Sequence, residues 1–101
     1  MPRQLVARIP GHHIATVKSQ GWLGVKNGRL LDLIEQAAFE AFLTNDKRMD
    51  KEQHLTERPF AVLVLSTNHW ETLEPHVPRI VSAIDRCRPG IVSKIDCGTG
   101  L

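Results

Sequence analysis

Apolar residues in this chain fall into short, nearly continuous runs that predict strands. Residues 41–44 and 60–65 have few polar interruptions, a pattern typical of parallel strands covered by helices on both faces. The β-branched segment 13–17 and the closing segment 90–95 predict two further strands. We therefore expect a sheet whose central strands are the two most apolar runs.

Apolar residues at helical spacing alternate with these runs. A first helix is predicted for residues 2–9, ended by a Pro-Gly pair. Asn27 is a good N-cap for the second helix because its side-chain oxygen can accept hydrogen bonds from first-turn amides. A third helix is predicted for residues 72–87, with Pro75 and Pro78 in or before its first turn and a second Pro-Gly pair as its stop. The apolar positions that recur in the last two helices are Leu30, Leu31, Ile34, Ala37, Ala38, Leu73, Val77, Ile80, Val81 and Ile84.

This alternation of strands and helices predicts an α/β fold with right-handed crossovers and a mostly parallel central sheet in three layers. Residues 46–55 are polar and predict a short helix or turn between the two central strands. In sheets of this kind, ligands bind outside the carboxyl ends of the strands. Asp46 lies two residues beyond a predicted strand, so its position favours a functional role for it over the other acids.

The length and composition of the chain predict a single soluble domain. The 101 residues, 42% of them hydrophobic, are enough for one core and not for two. We predict one domain over residues 1–96 and a flexible tail over residues 97–101. The net charge of +2 leaves the class of partner open.

Two sequence features bear on the compartment. Cys87 and Cys97 lack metal-ligand spacing, which favours free thiols in a reducing cytoplasm. We also expect neither export nor membrane insertion, because no charged-then-apolar leader opens the chain and no apolar run approaches membrane-spanning length.

Asp46 is the candidate metal ligand. A carboxylate at this place could bind Mg²⁺ or Mn²⁺, hard cations that take oxygen ligands and bridge to phosphate, and Thr44 could orient it. The alternative is that Asp46 caps the segment that follows, since Asp is a preferred cap and turn residue. A metal-dependent nuclease needs several converging carboxylates, whereas the next strand is followed by Ser66, Thr67 and Asn68. The two acids of the second predicted helix, Asp32 and Glu35, could face either way.

Basic residues follow Asp46 directly. Lys47, Arg48 and Lys51 could hold phosphates, because charge neutralisation dominates affinity for nucleic acid. The alternative is an ordinary solvated face, partly paired with neighbouring acids. The five histidines show no ligand spacing and are interpreted as surface or loop residues. No Ser/His/Asp or Cys/His constellation emerges from the spacing.

Several motifs resemble those of bacterial PIN-like domains, a branch in which members are often regarded as ribonuclease toxins of toxin–antitoxin pairs. The similarity covers residues 2–95. It is carried by "PGH" at residues 10–12 before a strand, by "KNG" at residues 26–28 opening a helix, and by "LTND" at residues 43–46. The last of these resembles the family's T-x-D acidic motif at a strand end.

The resemblance implies a parallel-sheet fold whose clustered acids bind Mg²⁺ or Mn²⁺ and cleave RNA phosphodiesters through an activated water. Asp46 is then the catalytic residue and the metal ligand, and Lys47 and Arg48 assist RNA binding. Residues that would support the site are Thr44, Asn27 and Asn68. Asn27 stands where related proteins often have an acid, and its neutral amide is a weaker metal ligand. The implied partners are RNA and an antitoxin protein.

The chain differs from the family at its amino terminus: family members usually begin with an acidic strand of the kind "ILLDE", which this sequence lacks. We expect either a translation start upstream of Met1 or a gap in the sheet that another molecule fills. Loss of a central strand leaves unpaired backbone edges on its neighbours. The chain as written should therefore be poorly stable or oligomeric and should lack nuclease activity.

Two alternatives to the nuclease stay open. One is a non-catalytic PIN-like module that binds an antitoxin-like protein or itself. The other is a phosphate- or nucleotide-binding domain that uses the same strand ends, although the chain has no Gly-rich phosphate loop.

Overall fold

Helices and strands alternate along the chain, as the apolar pattern predicts. The computed structural model describes residues 3–9, 11–16, 27–45, 55–67 and 69–97. The elements in chain order are α1 (Arg3–Ala7), β1 (Ile14–Ala15), α2 (Asn27–Gln36), β2 (Ala41–Thr44), a 3-10 helix (Leu55–Glu57), β3 (Ala61–Leu65), α3 (Trp70–Leu73), a second 3-10 helix (Glu74–His76), α4 (Val77–Asp85) and β4 (Val92–Ile95). The α/β class is confirmed.

The four strands form one parallel sheet in the order β1-β2-β3-β4. Every residue of β2 and β3 is buried, so the two most apolar runs are the central strands. They pair in register from Ala41 opposite Ala61 to Thr44 opposite Val64. No gap separates the strands within the described sheet. The unpaired edges expected beside a missing central strand are therefore not found between these four strands.

Helices cover both faces of the sheet and give three layers. On one face, the residues that α1, α3 and α4 contribute to a buried cluster are Leu5, Leu73, Val77, Ile80 and Ile84. On the other face, α2 contributes Leu30, Leu31 and Ile34. Alternate residues of each central strand point into the two clusters: Leu43 joins the first, and Phe42 joins the second. This layering explains why the central strands are apolar at every position.

The prediction that all crossovers are right-handed is wrong. The β1-to-β2 connection passes through α2 on one face, and the β3-to-β4 connection passes through α3 and α4 on the other. Both connections advance in the same direction across the sheet, so they have opposite hands. One of the two connections must therefore depart from the right-handed preference that strand twist gives to parallel crossovers.

The single helix predicted for residues 72–87 is divided into three consecutive segments. Pro75 lies in the first turn of the second 3-10 helix, and Pro78 lies in the first turn of α4. Proline has no backbone N–H and fits the first turn of a helix, where that donor has no partner. Each proline therefore marks a new start, which corrects the prediction of one continuous helix.

The buried stripe predicted for α2 is confirmed up to Ile34 and wrong beyond it. The helix ends at Gln36, so Ala37 and Ala38 lie in an exposed turn. Ala38 adopts a positive φ of 59°, a left-handed conformation that ends the helix and redirects the chain into β2. Apolar spacing alone does not reveal this stop, because alanine is usually a helix former.

Candidate functional site

The carboxyl ends of the strands, here called the carboxyl edge, carry a row of buried hydroxyl groups. Thr16 directly follows β1, Thr44 is the last residue of β2, and Ser66 directly follows β3. They are the only buried polar residues in the described part of the chain. Buried polar groups are costly unless they are hydrogen-bonded, so three of them at one edge distinguish it from the apolar interior.

Ser66 joins the ends of β3 and β4. Its backbone N–H donates to the carbonyl oxygen of Ile95 at 3.1 Å. Its Oγ accepts a hydrogen bond from the backbone N–H of Cys97 at 2.8 Å. Cys97 is 1% exposed and packs in the core. The first residue of the predicted tail is thus part of the folded domain, and residues 98–101 lie outside the described residues.

Asp96 is an acid at the carboxyl edge that the sequence analysis did not single out. It directly follows β4, and its carbonyl oxygen accepts a hydrogen bond from Nη1 of Arg79 on α4 at 2.8 Å. The signal that could have found it is the one used for Asp46, an acid just beyond a predicted strand. Since β3 separates β2 from β4, the two acids follow strands that lie about 10 Å apart.

Most of the predicted site residues lie outside the described part of the structure. Asp46, Lys47, Arg48 and Asn68 lie outside the described residues. Asn27 is the first residue of α2, and its side chain is likewise outside the described part. Thr44 is therefore the predicted site residue whose side chain is described, and it lies buried at the carboxyl edge.

The two acids of α2, Asp32 and Glu35, form ion pairs away from the carboxyl edge. Nη1 of Arg58 donates to Oδ1 of Asp32 at 2.7 Å and lies 3.3 Å from Oε1 of Glu35. Arg58 precedes β3, so these ion pairs lie toward the amino ends of the strands. The carboxylates of Asp32 and Glu35 therefore face Arg58, at the end of the sheet opposite to the carboxyl edge.

A second polar cluster lies at the amino ends of the strands, here called the amino edge. Nδ1 of His12 lies at hydrogen-bond distance from Oε2 of Glu40, 2.9 Å away, and Nε2 lies 2.8 Å from Oδ1 of Asp85. These bonds raise the pKa of His12, the one to Glu40 having the larger effect, and the His12 bond lowers the pKa of Glu40. Sequence analysis missed the cluster because its members are 28 and 73 positions apart.

A cavity of about 400 Å³ opens beside this cluster. His12, Glu40 and Asp85 line it together with Cys87 and Arg88. Burial raises the pKa of the Cys87 thiol, and the charge of Glu40 raises it further. A raised pKa disfavours the thiolate, the nucleophilic form of cysteine, so this environment does not activate Cys87. Both cysteines are free thiols, as expected.

The described residues contain neither a cluster of metal-binding side chains nor a membrane-spanning helix. Within the described ranges, no group of three or more His, Cys, Asp or Glu residues could hold a metal ion. The described donors at the carboxyl edge are oxygen atoms of hydroxyl and carboxylate groups, the kind that Mg²⁺ and Mn²⁺ prefer. None of the described helices is long and apolar enough to cross a bilayer.

Comparison with known proteins gives no relative for this chain. No family model, no curated protein and no solved structure matches it. The α/β fold thus stands on the structure alone, and the PIN-like assignment stays a proposal.

Proposed function

We propose that this chain is a PIN-like domain of the metal-dependent ribonuclease type found in bacterial toxin–antitoxin pairs, with its metal site at the carboxyl edge but with too few acids there to cleave RNA by itself. The observation that carries the proposal is the row of buried hydroxyls at Thr16, Thr44 and Ser66. Ligands of open parallel sheets bind at this edge. In the sequence, Asp46 comes two residues after the end of β2.

In this proposal each residue at the end of β2 has a distinct role. Asp46 binds Mg²⁺ or Mn²⁺, and Thr44 orients the segment that carries it. Lys47 and Arg48 neutralise the phosphates of RNA, the main source of affinity for nucleic acid. A bound metal ion would supply charge neutralisation at the scissile phosphate and would lower the pKa of a water molecule.

One aspartate neither holds a divalent cation firmly nor neutralises it. Among the described residues, Asp96 is the acid that directly follows a strand, and that strand lies two positions from β2 in the sheet. We therefore expect this chain to bind the metal ion weakly and not to cleave RNA. Metal binding, rather than cleavage, is the property to measure first.

Replacing Asp46 with Asn should abolish Mn²⁺ binding in calorimetry, because the neutral amide is a weaker ligand than the carboxylate. The matched control is Glu71→Gln, which makes the same chemical change at an exposed acid on α3. Binding should persist in this control. An equal loss of Mn²⁺ binding in both variants would contradict the assignment of Asp46 as the metal ligand. It would mean that binding depends only on the net charge of the chain.

The alternative is a non-catalytic module that binds an antitoxin-like protein or a second copy of itself. Ile91 favours it: this side chain is 51% exposed and directly precedes β4, which within the described sheet pairs on one side only. Sedimentation of the calorimetry samples separates the two functions. Self-association without Mn²⁺ binding in the unaltered chain would favour the module, whereas Mn²⁺ binding that depends on Asp46 would favour the nuclease.

A further inference from the structure

His12 joins three parts of the chain that are distant in sequence. It lies in the turn before β1, Glu40 lies in the turn before β2, and Asp85 is the last residue of α4. The imidazole thus bridges the amino edge of the sheet to the end of a helix that packs on one face. Glu40 is tied to the same turn by its backbone, since its N–H donates to the carbonyl oxygen of His13 at 2.9 Å.

The two bonds of His12 depend on its charge. An ionised carboxylate only accepts hydrogen bonds, so both ring nitrogens must donate to satisfy Glu40 and Asp85 together. Only the imidazolium has two N–H groups, because the neutral ring has one donor and one acceptor. When the ring loses its proton, one nitrogen lone pair faces a carboxylate, and that bond is lost.

We propose that His12 is a proton-operated clasp that fastens the end of α4 to the amino edge of the sheet and releases one carboxylate when the imidazolium is deprotonated. The clasp consists of His12, Glu40 and Asp85. It lies at the amino edge, away from the metal site proposed at the carboxyl edge, and does not depend on that proposal.

Other titratable or charged groups lie near the clasp. Cys87 and Arg88 line the adjoining cavity. The Cys87 thiol is neutral at the relevant pH because its pKa is raised. The guanidinium of Arg88 is a positive charge in the same cavity lining, and the two carboxylates in direct contact with His12 favour its protonated form. The contacts at 2.9 and 2.8 Å decide the balance, because hydrogen bonds between ionised partners are among the strongest in proteins.

The two shifted pKa values define a pH window. The pKa of His12 is raised above 6.5, so its contribution to stability is full below 6.5 and is lost as the pH rises through the folded-state value. The pKa of Glu40 is lowered below 4.5, so its contribution is present above 4.5 and is lost as the pH falls through the folded-state value. The clasp therefore contributes most between these two limits.

The first test uses the unaltered chain. An NMR titration of the histidine ring protons should give a midpoint for His12 above its ordinary value of 6.5. Replacing either carboxylate, as in Glu40→Gln or Asp85→Asn, should lower this midpoint. A midpoint at or below 6.5 in the unaltered chain would overturn the proposal, and this result requires no variant to fold.

The second test compares stability at two pH values. The urea concentration at the unfolding midpoint of the unaltered chain should be lower at about pH 8 than at about pH 5.5, because the imidazolium is lost over this range. His12→Asn should remove that histidine-dependent fall, whereas the control His76→Asn, at another described histidine, should retain it. The same fall in His12→Asn as in the unaltered chain would show that the clasp is not its source.

Discussion

Ser66 has the most specific structural role of the three hydroxyl residues at the carboxyl edge. Its Oγ is the acceptor for the buried N–H of Cys97, the residue at which the chain leaves β4 and enters its last segment. Without this acceptor, the amide would be buried and unpaired. A buried donor without a partner costs more than the net value of the hydrogen bond itself.

We expect Ser66→Ala to lower the free energy of unfolding by about 1–3 kcal/mol, the typical cost of an unsatisfied buried donor. The control Ser82→Ala makes the same change at a half-buried position on α4, where alanine favours the helix. Urea unfolding of both variants measures the difference. Equal free energies for Ser66→Ala and the unaltered chain would contradict the role assigned to this hydrogen bond.

At the scale of single elements, the apolar pattern predicted what depends on local burial and missed what depends on backbone geometry. The bounds of β2 were predicted correctly because its apolar run is continuous and its flanks, Glu40 and Asn45, are polar. The early end of α2 was missed because Ala38 stops the helix through its backbone conformation rather than through its residue type. Turns that need a positive φ are visible in a sequence mainly where glycine occupies them.

Gly11 and Gly28 allow a test of this geometry with matched substitutions. An added Cβ would have open space at either position, but Gly11 has a φ of +83°. Gly11→Ala should destabilise the fold by about 1–2 kcal/mol, the cost of a left-handed conformation. Gly28→Ala, in α2, should stabilise it by up to about 1 kcal/mol. Thermal unfolding of both variants is the measurement, and shifts of the same sign would contradict the backbone argument.

At the scale of the whole molecule, the opposite ends of one sheet have different chemistry. The carboxyl edge carries the buried hydroxyls Thr16, Thr44 and Ser66, and the amino edge carries the ion-paired His12 and the adjoining cavity. The parallel sheet was predicted correctly from the order of strands and helices, whereas the site proposed at the carboxyl edge stays a prediction. The clasp and the opposite hands of the crossovers could not be predicted in this way, because both depend on which distant segments become neighbours.

The central claim is that a divalent cation binds at the carboxyl edge, and Mn²⁺ broadening of amide NMR signals tests it most directly. The two edges are about 13 Å apart along β2, and broadening falls steeply with distance. Small additions of Mn²⁺ should broaden the amides of Thr44 and Ser66 first and leave those of His13 and Glu40 sharp. Broadening that begins at His13 and Glu40, or that spreads evenly over the surface, would contradict a metal site at the carboxyl edge.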